Sequence, residues 1–476
     1  MNNAPHHNIR IVTAASLFDG HDAAINIMRR ILQSKGAEVI HLGHNRSARE
    51  IVECAIEEDV QGIALTSYQG GHMEFFKYIR DLLDENGYRH IRIFGGGGGT
   101  ILPQEAEQLQ QYGISRIYSP DDGRKMGLEG MITDVITQCN FSVVSLPLLL
   151  SEKPPLGEYR DTRRVARAIT LAESGQGYSH LLEIFGKDTA SPIPVIGITG
   201  TGGAGKSSVT DEIVRRFLNR FSDKTIAVIS VDPSRKKSGG ALLGDRIRMN
   251  AVSGVRAYMR SLATREDNSA ISKAASQAIA ICKKAGYDCI ILETAGTGQS
   301  DVSIVDYCDV SVYIMTPEYG AASQLEKINM LDYADIIAIN KFDKSGAEDA
   351  LNDVRKQYRR NHLQFNIPNE HIPVMGMCAN TFNDKRVNAF FEKLLQKIHT
   401  KTGVRWSDLP VIAPEPLPGN PDAVIIPARR TRYLSEISES IRAYNQMAKD
   451  QSLVASQLFQ LNGAKQILTA SRKNEK

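Results

Sequence analysis

Long apolar runs are missing from this chain of 476 residues. No stretch reaches the roughly 18 consecutive apolar residues that a membrane-spanning helix takes, so no membrane partner is expected. Charge of one sign is missing too. Lys and Arg number 57 against 54 Asp and Glu, a net charge of +3, too small for a surface built to hold nucleic acid. Cysteine is sparse: Cys54, Cys139, Cys282, Cys289, Cys308 and Cys378 form no C-x-x-C pair. Most of them sit in apolar segments, the pattern of reduced, buried thiols in a cytoplasmic protein. The first residues lack the apolar core of a secretory signal. What remains is an ordinary globular composition, 42% hydrophobic and 23% charged, in a length that allows about two to four domains.

The most informative stretch is Gly200-Thr-Gly202-Gly203-Ala204-Gly205-Lys206-Ser207, which fits G-x-x-x-x-G-K-[S/T]. An apolar run, Pro194–Thr199, precedes it and a helical pattern, Ser207–Phe221, follows it. Strand, glycine loop and helix are the context the motif needs. Glycines let backbone N–H groups turn toward phosphate oxygens, and the helix N-terminus, with Ser208 in its first turn, adds positive potential. In such a loop Lys206 reaches the β- and γ-phosphates and the Ser207 hydroxyl ligates Mg²⁺.

Two later apolar strands close on an acid, Ile226–Asp232 and Asp288–Glu293, the arrangement that holds a carboxylate near Mg²⁺ or its waters. Ile336–Ile339 runs into Asn340-Lys341-Phe342-Asp343. That is N-K-x-D, whose aspartate accepts two N–H bonds from guanine; adenine has no such donor pair, so GTP is expected over ATP.

Before the loop, residues 9 to about 140 alternate strand and helix signals. Strands are expected at Ile9–Ala14, Ala37–Leu42, Val60–Thr66, His90–Phe94 and Ser115–Tyr118. Ala24, Ile27, Met28, Ile31 and Leu32 form one helix face. Five βα units imply a flavodoxin-like, doubly wound parallel sheet, with ligands at the carboxyl ends of the first and third strands. The loop after strand one holds Asp19-Gly-His21, the loop after strand three holds Ser67, and strand four ends in the run Gly95–Gly99. A carboxylate two residues before a histidine can hold one ring nitrogen while the other takes a metal. On the triplet alone, an incidental histidine in a response-regulator-like domain is the better reading.

The combination changes that balance. Asp19-x-His21, then Ser67, then Gly95, Gly96 and Gly97, in this order, resembles the cobalamin-binding domain of methylmalonyl-CoA mutase and its relatives over about residues 8–140. The resemblance implies that His21 is the lower axial ligand of cobalt, that Asp19 tunes it, and that the displaced nucleotide tail runs between Ser67 and the glycines. Ala24 and Gln69 depart from the family's D-x-H-x-x-G and S-x-L patterns.

Three further stretches are Val231-Asp232-Pro233-Ser234, the run Ser238–Arg246, and Arg260–Arg265. With Glu293-Thr294-x-Gly-x-Gly-Gln299, they resemble the GTPase chaperones of cobalamin-dependent acyl-CoA mutases over about 160–400. That resemblance implies Mg²⁺ contacts from Ser207 and from acids among Asp232, Asp245 and Glu293, Asp343 as the reader of guanine, and Cys378-Ala379-Asn380 at the base. Gln299 is a candidate for orienting the attacking water by position only. Between the two regions, Lys153-Pro-Pro-Leu-Gly157 marks a boundary, and the helix Thr162–Glu173 carries Arg163, Arg164 and Arg167 on what reads as a solvated positive face.

The expected organisation is an α/β cobalamin-binding domain (1–145), a helical connector (146–192), an α/β P-loop GTPase domain (193–400) and a mainly helical linker or docking arm (401–476). This order resembles the family of fused isobutyryl-CoA mutases. It implies adenosylcobalamin, Mg²⁺ and GTP, a catalytic TIM barrel in cis or in trans, a homodimer, and a GTPase that gates cofactor loading. The stretch after Thr400 is too short for such a barrel, which takes about 250 residues, so the chain is expected to be the amino-terminal part of a fusion or a split form. A standalone metallochaperone and a cobalamin-responsive regulator are the alternatives.

Overall fold

A computed structural model of the chain describes residues 7–143, 162–175, 182, 185, 192–235, 238–265, 273–296, 302–319, 325–406 and 433–474. Met1–Val411 form one compact unit and Ile412–Lys476 a second. In the first unit the amino-terminal elements are β1 (Arg10–Ala15), α1 (Ala23–Ser34), β2 (Glu38–Gly43), α2 (Ala48–Glu57), β3 (Gly62–Thr66), α3 (His72–Glu85), β4 (Arg92–Gly96), α4 (Pro103–Tyr112), β5 (Arg116–Tyr118) and α5 (Pro120–Cys139). Each expected strand is found, displaced by one or two residues. The strands are buried on both faces and the helices on one, as a two-sided parallel sheet requires.

The chain continues through α6 (Thr162–Glu173), β6 (Val195–Gly200), α7 (Lys206–Arg220), β7 (Ile226–Asp232), β8 (Ala241–Leu243), β9 (Ala257–Ala263), α8 (Lys273–Lys284), β10 (Cys289–Glu293) and β11 (Val310–Met315). It closes with α9 (Met330–Tyr333), β12 (Ile336–Ile339), α10 (Ala347–Asn361), β13 (Val374–Gly376) and α11 (Lys385–Thr402). Two parallel sheets result. The second runs β13-β12-β11-β6-β10-β7-β9. The first runs β5-β4-β3-β1-β2-β8, the flavodoxin-like order with its switch between β1 and β3, plus one strand the sequence pattern did not give. That strand, β8, comes from far downstream and pairs Ala241, Leu242 and Leu243 with Glu38, Val39 and Ile40.

The two sheets are joined by a balanced set of four arginines and four glutamates, whose side chains are all buried except that of the half-buried Arg265. Arg10 pairs with Glu38 and Glu58, Arg246 with Glu57 and Glu58, Arg260 with Glu173, and Arg265 with Glu38 and Glu173. Glu58 also accepts from the Ser261 N–H and hydroxyl. The helix α6 is part of this joint, which corrects the expectation of a solvated positive face. Arg167 is buried over the Tyr88 ring, and Val165 to Ala172 pack into the core. The arginines of this helix stand among alanines and β-branched residues, and nothing in that local order shows that the rest of the fold covers Arg167.

In the second unit, α12 (Tyr433–Asn474) is one long helix whose large apolar side chains, Ile441, Tyr444, Leu458 and Phe459 among them, are exposed. No helix among the described residues is long and apolar enough to cross a membrane.

Candidate functional sites

At the carboxyl end of β1 the chain leaves the sheet through Ser16, whose hydroxyl donates to the Ser67 hydroxyl at the end of β3, 3.0 Å away. The switch in strand order thus brings the two expected loops together. Asp19 is fully buried between them. Its Oδ2 accepts the Tyr68 N–H at 2.6 Å, and its Oδ1 accepts the His21 N–H at 2.9 Å and faces the His21 Nδ1 at 2.8 Å. Burial alone would raise the Asp19 pKa, but these N–H donors and the imidazole outweigh it and hold the carboxyl below its ordinary value. An ionised acceptor at Nδ1 places the ring proton there and leaves Nε2 with a lone pair. The His21 side chain is 68% exposed while that of Asp19 is 0% exposed, so the imidazole is aimed outward from a fixed base.

Beside it lies an apolar cavity of about 280 Å³. Its floor is Gly95, Gly96, Gly97 and Gly98, and its walls include Ala24, Met28, Met131 and Ile132. The glycines are required by packing. A Cβ on Gly97 would lie 2.0 Å from the Ser67 carbonyl oxygen, and one on Gly95 would lie 2.4 Å from the Phe76 ring. A bare-backbone floor, an open apolar slot and an outward imidazole fit a large, flat, mostly neutral cofactor with a tail. The α5 wall was not legible as part of the site. Its hydrophobic residues follow a kink at Gly127 (φ 65°), and nothing local marks them as lining anything.

In the second sheet β6 ends in the glycine loop, and α7 begins at Lys206 instead of Ser207. Gly202 and Gly203 are exposed, Ala204 is buried and Ser208 is half-buried in the first helical turn. Gly205 caps the helix at φ 88°, a conformation that costs glycine least. The Lys206 ammonium curls back to the carbonyls of Gly200 and Thr201, each at 3.3 Å. Ser207 Oγ donates to Asp245 Oδ1 at 2.9 Å and lies 2.8 Å from Glu293 Oε1. Two positioning hydroxyls were not anticipated. Thr210 Oγ1 donates to Glu293 Oε2 at 2.8 Å, and Ser230 Oγ to Asp245 Oδ2 at 2.6 Å. Thr210 is legible afterwards, since it lies three residues past Ser207 on one helix face.

Asp232 accepts the Gly244 N–H at 3.2 Å. Burial first, and then the charge of Asp245, push both Asp232 and Glu293 up to about 8. Burial lowers the Lys206 pKa against the pull of the same acids. Burial and crowding thus oppose the joint ionisation of these acids, a cost that an added cation would relieve. Among the described residues no three His, Cys, Asp or Glu side chains form a metal cage. Mg²⁺ does not need one, because it keeps waters and takes one or two carboxylates beside the phosphates. A serine hydroxyl with crowded carboxylates beside a phosphate loop fits that ion.

Asn340 is structural glue at the loop. Its Nδ2 donates to the Ala204 carbonyl at 2.8 Å and its Oδ1 accepts the Ala379 N–H at 3.0 Å. Lys341 Nζ donates to the Gly203 carbonyl at 2.8 Å. Asp343 is exposed at the mouth, with the Cys378 thiol 3.6 Å from its Oδ1. N-K-x-D and Cys378-Ala379-Asn380 thus meet at one edge of the loop. Gln299 lies outside the described residues.

Comparison with known proteins follows the same division. Residues 9–121 match the B12 binding domain. Residues 165–457, more than half of the chain, match the methylmalonyl Co-A mutase-associated GTPase MeaB. The chain belongs to the MeaB family. Over 471 residues it is 52% identical to the fused isobutyryl-CoA mutase of Geobacillus kaustophilus, a match taking in 97% of this chain and 42% of that one. The same description applies to a protein of Cupriavidus metallidurans, 52% identical over 98% of this chain and 42% of its own. A putative GTPase of Pyrococcus horikoshii is 39% identical over 40% of this chain and 59% of its own. The chain spans under half the length of the fused relatives. As a MeaB-family member with a B12 domain ahead of it, the chain is a GTPase with cobalamin as cofactor.

Proposed function

We propose that this chain is the cofactor-handling portion of a fused acyl-CoA mutase, in which GTP hydrolysis gates the loading and protection of adenosylcobalamin. The proposed spans are 1–145 for cobalamin, 146–192 as connector, 193–400 for the GTPase and 401–476 as linker to a mutase barrel, in cis or in trans. The complete system would interconvert isobutyryl-CoA and n-butyryl-CoA, as a cytoplasmic homodimer. The observation that carries the reading is the juxtaposition, in one compact unit, of an outward imidazole on a buried carboxylate and a phosphate loop crowded by acids.

In this reading His21 Nε2 would face cobalt, Asp19 would keep the proton on Nδ1, and Ser67 with Gly95, Gly96 and Gly97 would bed the tail. The bound cofactor would supply a weak cobalt–carbon bond as the source of radical chemistry. Gly200, Gly202, Gly203, Ala204, Gly205 and Ser208 would cradle the phosphates and Lys206 would neutralise charge developing on them. Ser207, Asp232, Asp245 and Glu293 would hold Mg²⁺ or its waters, and Gln299 would orient the attacking water. Asn340 and Lys341 would set the loop while Asp343 reads the base. The test is phosphate release with GTP and with ATP, run beside absorbance titration with adenosylcobalamin. GTP-selective turnover together with stoichiometric cobalamin binding is expected. Equal turnover of both nucleotides, or no cobalamin bound, would overturn the reading.

A further inference from the structure

The strand β8 belongs to the first sheet, yet the residues that follow it within two positions belong to the second site. Ala241–Leu243 extend the sheet beyond β2, and Gly240 packs so closely on the end of α1 that a Cβ there would lie 2.1 Å from the Gln33 carbonyl oxygen. Gly244 then donates to Asp232, and Asp245 receives the hydroxyls of Ser207 and Ser230. Arg246 turns back to Glu57 and Glu58 at the end of α2, which packs on the first sheet. Ile247 lies against Gly43 at the end of β2, 2.7 Å from where a Cβ would stand, and its carbonyl accepts Arg46 Nη2 at 3.0 Å.

From Arg46 the contacts continue to the imidazole loop. The same guanidinium donates to the Leu42 carbonyl at 3.0 Å and pairs with Glu50. Its neighbour Asn45 accepts the Phe18 N–H on Oδ1 at 3.1 Å. Phe18 and Asn45 both sit at positive φ, 63° and 59°. Such a conformation is costly for a phenylalanine and persists only where neighbours hold it. Phe18 precedes Asp19, the buried acid that fixes His21. The nucleotide-site acid and the imidazole loop are thus joined by one unbroken set of contacts, Asp245–Ile247, then Arg46–Asn45, then Phe18–Asp19.

We infer that Ala241–Arg248 is a positioning element shared by the two sites, through which guanine nucleotide and cobalamin each change the affinity for the other. This rests on the function proposed above and adds the route by which that gating acts. Movement of Asp245 when Mg²⁺ and nucleotide take over its hydroxyl partners is transmitted to Arg46 by the Ile247 carbonyl. Arg46 and Asn45 in turn set whether the strained Phe18 turn is held. Spatial continuity is the warrant for the route, and a coupling measurement is its proof. Linkage requires the coupling to be reciprocal, with the same factor read from either ligand.

The experiment titrates the full chain with adenosylcobalamin by absorbance, with and without saturating Mg²⁺·GDP, and then with a fluorescent GDP with and without adenosylcobalamin. In the wild-type chain the two Kd ratios should agree and differ from one by at least about fivefold, the low end of known couplings. Arg46→Ala, which frees the Ile247 carbonyl, and Asn45→Gly, which tolerates the positive φ but loses the Phe18 bond, should each bind both ligands with the ratio reduced to within about twofold of one. Circular dichroism establishes that each variant is folded, and the second variant serves if the first is not. Wild-type ratios of one with both ligands bound, or unchanged ratios in the folded variants, overturn the inference alone. A wild-type chain that binds no adenosylcobalamin overturns the proposed function and this inference together.

Discussion

At the imidazole loop every oxygen of the one buried carboxylate has a donor, and the cavity beside it is lined by glycine and aliphatic side chains. At the phosphate loop Asp245 and Glu293 both meet the Ser207 hydroxyl, and Glu293 and the neighbouring Asp232 are pushed far above their ordinary pKa. The first site has its carboxylate fully hydrogen-bonded and presents an apolar surface. The second crowds its acids against one another, a cost that a cation would relieve. A large, nearly neutral cofactor needs a prepared surface, whereas a polyanion comes with a metal that can itself relieve such crowding. The same chain solves both problems with parallel sheets, because both place their loops at the carboxyl ends of strands.

The comparison breaks most sharply at Lys206. Lys206→Ala should lower GTP turnover by about 10²–10³-fold, the usual loss for one charge-stabilising donor, while the cobalamin spectrum stays unchanged. A parallel loss of cobalamin binding would show that the sites are not electrostatically separate. Acid should act on the first sheet. His41, buried on β2 against Thr13, is held at about 4 from an ordinary 6.5, by burial first and by Arg29 next. The unfolded chain therefore binds a proton that the folded one refuses. Its contribution is complete above pH 6.5 and is lost as pH falls toward 4, by at most about 2–3 kcal/mol. Urea midpoints across that range check it, and His41→Gln should flatten the slope.

A smaller change is expected at the base. Asp343→Asn should cut the preference for GTP over ATP by about 10–100-fold, the worth of one or two hydrogen bonds to a charged acceptor, read as a ratio of kcat/KM values. His21→Ala should weaken cobalamin by only about tenfold, because the apolar slot and glycine floor remain. The visible spectrum should nonetheless leave its imidazole-ligated form. A larger loss than that at Asp343 would mean that the first site depends on its one polar contact more than on shape.

Much of this was legible in the chain. The glycine loop, the strands closing on Asp232 and Glu293, and Asp19 next to His21 are local patterns. A strand followed by glycines and a helix has few other ways to fold, and a carboxylate two residues from an imidazole reaches it directly. Four features were not legible. Ala241–Leu243 is three residues between glycines, too short for a periodic signal, and its pairing is set by a partner some 200 residues away. The burial of Arg167 depends on what lies over it. The Thr210 and Ser230 hydroxyls are ordinary residues until the acids they hold arrive. The α5 wall of the cavity has no motif.

The sequence by itself determined the two sheets, their order in the chain and the residue types at each loop, because hydrophobic period and glycine chemistry act over a few residues. Only the tertiary structure decided that the sheets are joined by Arg10, Arg246, Arg260 and Arg265 with their glutamates, and that Asp245 stands at one site while its own strand completes the other sheet. A buried charge is tolerable only where a specific opposite charge meets it, and that meeting is a property of the folded chain.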